Sequence, residues 1–169
     1  RHVLPRDYVG SVVSPTPPLV DLDGHGTHVS GTIGEATNNA LLVSGMAYNV
    51  KIMPVKVCAD YWDVMIARGL AGISGFAPSS STGCTNSDIA AGVQYAADNG
   101  AKVMNISLGG TGSSTTIQSA LSYAASRGAF ISISMGNEYE NGNPTMYPAS
   151  YAAGIDGVMY DQASKAQLV

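Results

Sequence analysis

A seven-residue block occurs twice in this chain, and that repeat restricts its fold more than any other feature. Tyr95-Ala96-Ala97-Asp98-Asn99-Gly100-Ala101 returns as Tyr123-Ala124-Ala125-Ser126-Arg127-Gly128-Ala129. Ahead of each copy, apolar residues recur at helical spacing: Ile89, Val93, Ala96 and Ala97, then Ile117, Leu121, Ala124 and Ala125. Gly100 and Gly128 fall where a glycine in the left-handed conformation ends a helix. Behind each copy stands a short apolar run, Val103-Met104-Asn105-Ile106 and Phe130-Ile131-Ser132-Ile133. Runs apolar on both faces that alternate with helices predict a parallel sheet covered on both sides. The fold class expected is α/β.

Both strands end alike, in Ser107-Leu108-Gly109-Gly110 and Ser134-Met135-Gly136-Asn137. In open α/β sheets, ligands bind beyond the carboxyl ends of the strands. Either serine-to-glycine segment alone reads as an ordinary strand-to-helix turn. Two together predict a ligand edge. Asn137 has a plain reading too, as a turn residue next to Asn141-Gly142-Asn143-Pro144.

Elsewhere the pattern is weaker. Residues 1–22 read as irregular, since Pro15, Pro17 and Pro18 oppose a helix or a central strand. A helix is expected from about His25, ending before Asn38-Asn39. The run from Val50 to Val57 alternates enough for a strand, with Pro54 marking an edge or a bend. The glycine- and serine-rich segment 58–84 reads as a long surface excursion. With 169 residues, 45% of them hydrophobic, the chain can build one core and is short for two. A single domain over 1–169 is expected.

A net charge of −4 and a pI near 5.1 argue against nucleic acid as a partner. No apolar run approaches the ~18 residues of a membrane span, so no membrane partner is expected. The first residue is Arg1 and no signal peptide is visible, which reads as a processed product, an excised segment or an incomplete chain. Cys58 and Cys84 are the only cysteines, and neither belongs to a Cys-x-x-Cys pair. They are either free buried thiols or a bridge closing the excursion, which would contribute about 3–3.5 kcal/mol in the chain-entropy model. The low charge and even cysteine count favour a bridged, secreted protein.

The chemistry concentrates in Asp23-Gly24-His25-Gly26-Thr27-His28-Val29-Ser30-Gly31-Thr32. His25 would open the helix and present its imidazole at the rim of a cleft, where a neutral ring can act as general base near pH 7. Val29 and Ile33, four apart, would give the helix a buried stripe. His-x-x-His can also be half of a metal site. The zinc-hydrolase spacing is i, i+4, however, and His2, His25 and His28 are the only histidines, so the metal reading is the weaker.

That ten-residue block resembles the histidine motif of the subtilisin-like serine peptidases, and further blocks follow in the family's order. The resemblance covers roughly residues 19–165. It implies a subtilisin-like three-layer α/β domain, a parallel sheet flanked by helices and truncated at both ends, with His25 as catalytic base and His28 as a supporting residue. Asn105-Ile106-Ser107-Leu108-Gly109-Gly110 resembles the substrate-binding strand, whose backbone pairs with a peptide. Ser134-Met135-Gly136-Asn137-Glu138 resembles the block that ends in the oxyanion asparagine, implying Asn137 as donor and Ser134 and Gly136 as substrate contacts. Met135 is bulkier than the family's usual alanine, which implies a narrower specificity pocket. Tyr147-Pro148-Ala149-Ser150-Tyr151 matches the segment that follows. Cys58 and Cys84 resemble a bridge of some secreted members, and the resemblance allows a calcium ion as cofactor.

Two family motifs find no match. None of Asp7, Asp21 and Asp23 has the Asp-Ser/Thr-Gly context of the orienting acid, and no Gly-Thr-Ser-Met-Ala nucleophile block or Gly-x-Ser-x-Gly elbow occurs. Three readings follow. The leading one is a segment of a secreted serine endopeptidase acting on peptides or esters. The second is a small hydrolase using a local serine, Ser107 or Ser134. The third is a non-catalytic domain that binds extended peptides. Outer strands absent from the sheet would leave edges that favour a homo-oligomer.

Overall fold

The computed structural model describes residues 5–9, 21, 23–40, 43–59, 63 and 83–161, with only the backbone course for 158–161. The Pro15–Pro18 connector and most of the 58–84 excursion lie outside the described residues. In chain order the elements are β1 (Arg6–Asp7), α1 (His25–Gly34), β2 (Val55–Lys56), β3 (Cys58–Ala59) and β4 (Gly83–Cys84). They continue with α2 (Asn86–Asp98), β5 (Val103–Ile106), α3 (Thr115–Ser126), β6 (Phe130–Ser134) and β7 (Val158–Asp161). Short 3-10 turns at Tyr139–Asn141 and Ala149–Gly154 separate β6 from β7. The chain divides into two compact units, Arg1–Gly92 and Val93–Val169, each described by itself.

In the second unit the repeat does what its pattern requires. Gly100 and Gly128 follow their helices at φ 79° and 82°, a conformation costly for any residue with a Cβ. α3 starts on Ser114, whose side chain accepts the Ile117 N–H at 3.4 Å. Tyr123 of α3 donates its hydroxyl to Asp98 Oδ1 at 2.5 Å, joining the two helix ends. The strands form one parallel sheet in the order β5-β6-β7, with Val103 opposite Phe130 and Ile131 opposite Val158. Met104, Ile106, Ile131 and Ile133 are buried, as are Ile117, Ala120, Leu121 and Ala124 of α3. Burying each large apolar side chain contributes about 1.5–3 kcal/mol, and here those side chains converge on β6, the middle strand.

One expectation for this unit is corrected. The strands are not covered alike on both faces: Val103 and Phe130, at the strand starts, stay 67% and 42% exposed. Their alternation is buried-in and open-out, the pattern of a half-covered sheet. The structure also adds a strand, β7, to the two that the repeat predicts. Asp156 and Gly157 interrupt the apolar pattern, yet Gly157 turns at φ 84° and passes its carbonyl to the Ile131 N–H at 2.9 Å. The third parallel strand begins one residue later.

In the first unit, residues 1–22 are not wholly irregular. β1 pairs in parallel with β2, Arg6 opposite Val55 and Asp7 opposite Lys56. The Arg6 N–H reaches the Pro54 carbonyl at 3.1 Å and the Tyr8 N–H reaches the Lys56 carbonyl at 2.8 Å. The strand expected over Val50–Val57 is confined to Val55–Lys56, and Pro54 has no N–H to extend a ladder. Gly92 of α2 lies so close to this pair that an added Cβ would meet Val57 Cγ1 at 2.4 Å. β3 and β4 pair antiparallel, Cys58 directly opposite Cys84, and the two cysteines are disulfide-bonded. The salt bridge from Lys56 Nζ to Asp63 Oδ2 spans 2.7 Å.

α1 departs from its expected apolar stripe. Val29 and Ile33 are only half-buried, and no residue of the helix is fully buried. The helix is held at its C-terminal end instead, where the chain returns and covers the last carbonyls. Gly45, Met46 and Ala47 donate to the carbonyls of Glu35, Thr32 and Ile33. None of the helices among the described residues is long and apolar enough to cross a membrane.

The packing around β6 gives a clear stability expectation. Leu121→Ala should destabilise by about 2–5 kcal/mol, because the side chain is fully enclosed. Val103→Ala should stay within about 0.5 kcal/mol. Urea denaturation of the two variants beside the parent measures the contrast, and equal losses would contradict the one-sided core.

Candidate active site

His25 is the first residue of α1 and is exposed. It is preceded by Gly24 in the left-handed conformation, φ 83° and ψ −11°, which brings no side-chain cap. The helix start is satisfied from further back. Asp21 Oδ1 accepts the Gly24 N–H at 3.0 Å, and Oδ2 accepts both the N–H and the hydroxyl of Thr27 at 2.7 Å. A negative charge here also faces the positive end of the helix dipole. Burial pushes the Asp21 carboxyl upward, but bonds from the Thr27 hydroxyl, the Thr27 and Gly24 N–H groups and the charge of Lys56 outweigh it. They hold Asp21 below the usual carboxylate range.

His28, one turn on, is exposed as well, and its carbonyl accepts the Thr32 hydroxyl at 3.1 Å. Among the described residues, no three His, Cys, Asp or Glu side chains come together to hold a metal ion. The described residues therefore offer no ligand set of that kind for the calcium ion that the resemblance allows.

Sequence reasoning missed one acidic position. Asp7 closes β1, a strand in parallel pairing, and its Oδ1 accepts the N–H of Val9 at 2.9 Å. It is half-buried, beside Tyr8, whose ring lies 5.6 Å from the Arg6 guanidinium carbon. Asp7-Tyr8-Val9 lacks the Asp-Ser/Thr-Gly signature. The signal that could have found it is Val55-Lys56-Val57, a short apolar strand in need of a parallel neighbour.

In the second unit, the carboxyl ends of β5 and β6 carry the remaining candidates. Ser107 and Leu108 are half-buried, while Gly109 and Gly110 are exposed. Ser107 Oγ accepts from the Asn105 amide at 2.8 Å, and an amide cannot take up the serine's proton. Gly110 is already committed, since its N–H and carbonyl exchange bonds of 2.9 and 2.7 Å with Tyr147. Ser134 ends β6, and Gly136 turns at φ 93°. A Cβ on Gly136 would fall 2.2 Å from Glu138 Oε2 and 3.2 Å from Met146, so space as well as conformation requires glycine. Glu138 Oε2 is buried and, among the described residues, has no hydrogen-bond partner.

Asn137 follows, exposed, ahead of the turn at Tyr139–Asn141. The left-handed positions of this segment are Gly142 and Asn143, at φ 85° and 52°. Asn137 is not among the left-handed residues, so the turn makes no conformational demand for asparagine there. Its amide remains available as a neutral donor at a strand end.

The described set comprises an exposed helix-opening histidine, strand-end serines and glycines, and an exposed asparagine past a constrained glycine. A model of the subtilase family matches residues 5–167. The chain belongs to the subtilase family. Among curated relatives, a thermophilic serine proteinase of Bacillus sp. (strain AK1) is 38% identical over 133 residues, 78% of this chain and 27% of the relative. Subtilisin BL of Lederbergia lenta is 36% identical over 142 residues, 84% of this chain and 44% of the relative. This subtilase chain thus spans less than half the length of these relatives. Solved structures agree. A protease of Pseudoalteromonas arctica superposes with a TM-score of 0.57 at 32% identity, covering 78% of this chain and 34% of the other. The S41 psychrophilic protease superposes with a TM-score of 0.65 at 26% identity, covering 91% and 44%. The architecture is the subtilisin-like α/β fold.

The Asp21 bonds give a pH expectation whose sign is fixed. Because the folded-state carboxyl titrates below its unfolded value, its stabilising contribution is complete above that value, about 3.9, and is lost as pH falls through the folded one. Asp21→Ala should cost about 1 kcal/mol at pH 6, as for loss of a helix cap. That gap to the parent should narrow as pH falls below about 3.9 and through the lower folded value. Thermal denaturation of both proteins at pH 6 and pH 3 measures it.

Proposed function

We propose that this subtilase chain is the part of a secreted serine endopeptidase that carries the catalytic base and the oxyanion donor. His25 would take the proton from the attacking hydroxyl. Asn137 would donate its amide N–H to the oxygen that becomes negative in the tetrahedral intermediate. The supporting observation is the placement of the Asp-Gly-His-Gly-Thr-His block, with His25 as the exposed first residue of α1, in a chain that belongs to this family.

Each role follows from what the side chain offers. An imidazole at a helix start is held by its backbone yet open to solvent and substrate, which suits proton transfer. A neutral amide donor stabilises the developing oxyanion without carrying a proton into the reaction. Asp7 is the acid we assign to orient the histidine, because it alone of the three upstream aspartates closes a strand. A peptide would pair along Ser107–Gly109, since the backbone groups of Gly110 are taken by Tyr147. Ser134 and Gly136 would line the pocket beside it, with Met135 narrowing the space. The nucleophilic serine is assigned to no residue of this sequence. An extracellular location is supported by relatives such as the extracellular protease of Xanthomonas campestris, 37% identical over 132 residues.

General-base catalysis by an imidazole on an attacking water contributes about 10²–10⁴-fold. The chain should therefore hydrolyse an activated ester slowly. His25→Ala should bring that rate to the background, while His28→Ala should change it little. Asn137→Ala should lower it by about 100- to 1000-fold at most, a range measured on a subtilisin. Ester hydrolysis by the four proteins, with and without a chelator, is the test. Activity that survives in His25→Ala, or that vanishes with chelator, contradicts the assignment. Stoichiometric fluorophosphonate labelling of Ser107 or Ser134 would favour the small-hydrolase reading, and peptide binding without hydrolysis the binding-domain one.

A further inference from the structure

The three bonds of Asp21 do more than cap a helix, because of where they fall. One carboxylate oxygen holds Gly24 and the other holds Thr27, by its backbone at 2.7 Å and by its hydroxyl at 2.7 Å. His25 lies between those anchors, and the only residue between it and Thr27 is Gly26. A Cβ on Gly26 would sit 3.5 Å from Asp21 Oδ2, so the carboxylate runs alongside the first turn rather than beneath its end. Gly24, left-handed at φ 83°, accepts the His28 N–H at its carbonyl at 3.0 Å, but its own N–H, directly before the histidine, is held by Asp21.

We propose that Asp21 is the positioning residue for His25, gripping the backbone on both sides of it and so fixing the direction in which the imidazole leaves the helix. The proposal rests on the reading of His25 as the base. It differs from the role of an orienting acid, which bonds to the ring itself. Asp21 acts through the peptide backbone and sets the origin from which the two side-chain torsions of His25 start. Proton transfer requires the acceptor nitrogen within about 2.6–3.2 Å of its donor, a tolerance that movement at Gly24 would exceed.

The test uses the whole chain and the variants Asp21→Ala, Asp21→Asn and Thr27→Val. Four readouts are followed: amide hydrogen exchange at Gly24 and Thr27, the carbon and nitrogen signals of the His25 imidazole, ester hydrolysis and circular dichroism. Asp21→Ala should speed exchange at both amides, shift or broaden the His25 ring signals but not those of His28, and lower the His25-dependent kcat by about 10- to 100-fold with little change in KM. Asp21→Asn keeps an acceptor for Gly24 but turns an amide donor or a single oxygen toward Thr27, so its losses should concentrate at Thr27. Thr27→Val, lacking only the hydroxyl bond, should fall between Asp21→Asn and the parent. Unaltered His25 ring signals in a folded Asp21→Ala, or exchange that rises with no change in kcat, overturns the proposal. If Asp21→Ala loses its helical signal altogether, the two milder variants decide by the same criteria. If the parent shows no His25-dependent hydrolysis, the catalytic reading fails, and the ring signals still decide whether Asp21 positions the histidine.

Discussion

The second unit depends on the enclosure of β6. Ile131 and Ile133 point from that strand into a layer formed with Leu121 and Ala124 of α3, and all four are essentially removed from water. A strand so fixed has one register: a slip by one residue would turn both isoleucines to the open face and bring Ser132 inward. The ladder to β5 on one side and β7 on the other inherits that register. The turn that leaves β6 inherits it too. Ser134, Gly136 and Asn137 stand where they do because Ile131 and Ile133 can stand nowhere else. Chemistry at a strand end is positioned by apolar burial a few residues earlier.

How much of this was legible in the residues depended on how long a pattern each element presents. The repeat supplied two helices of regular apolar spacing, two left-handed glycines and two strands, and the structure places all of them as expected. Met104, Ile106, Ile131 and Ile133 are every second residue along their strands, which also shows which face is buried. β1 and β7 left little trace. β1 has two residues, and its existence depends on a partner about fifty positions away, so no local periodicity could announce it. β7 sits behind Asp156-Gly157, which reads as a break and turns out to be the turn that starts the strand.

The site follows the same division. His25 and Asn137 were proposed from the motif blocks around them, and the structure leaves both exposed, one opening α1 and the other past the end of β6. Asp7 was not legible in this way, since its meaning comes from strand pairing. Asp21 was visible only as an aspartate out of context, and its three bonds to Gly24 and Thr27 give it a place beside the histidine. The commitment of Gly110 to Tyr147 was equally hidden, being a contact between residues far apart in the chain. Long-range backbone pairing places Asp7 and Gly110, and local side-chain bonds place Asp21.

The bridge between Cys58 and Cys84 has a consequence for how the chain would respond to proteolysis. The two cysteines are direct partners on β3 and β4, at the two ends of the intervening segment. A cut anywhere within that segment opens the loop but leaves the pieces before and after it covalently joined. The first piece retains α1 with His25 and the second retains the β5–β6–β7 sheet with Asn137. Nicked material would migrate as an intact chain on a gel until a thiol is added, and then separate into two bands.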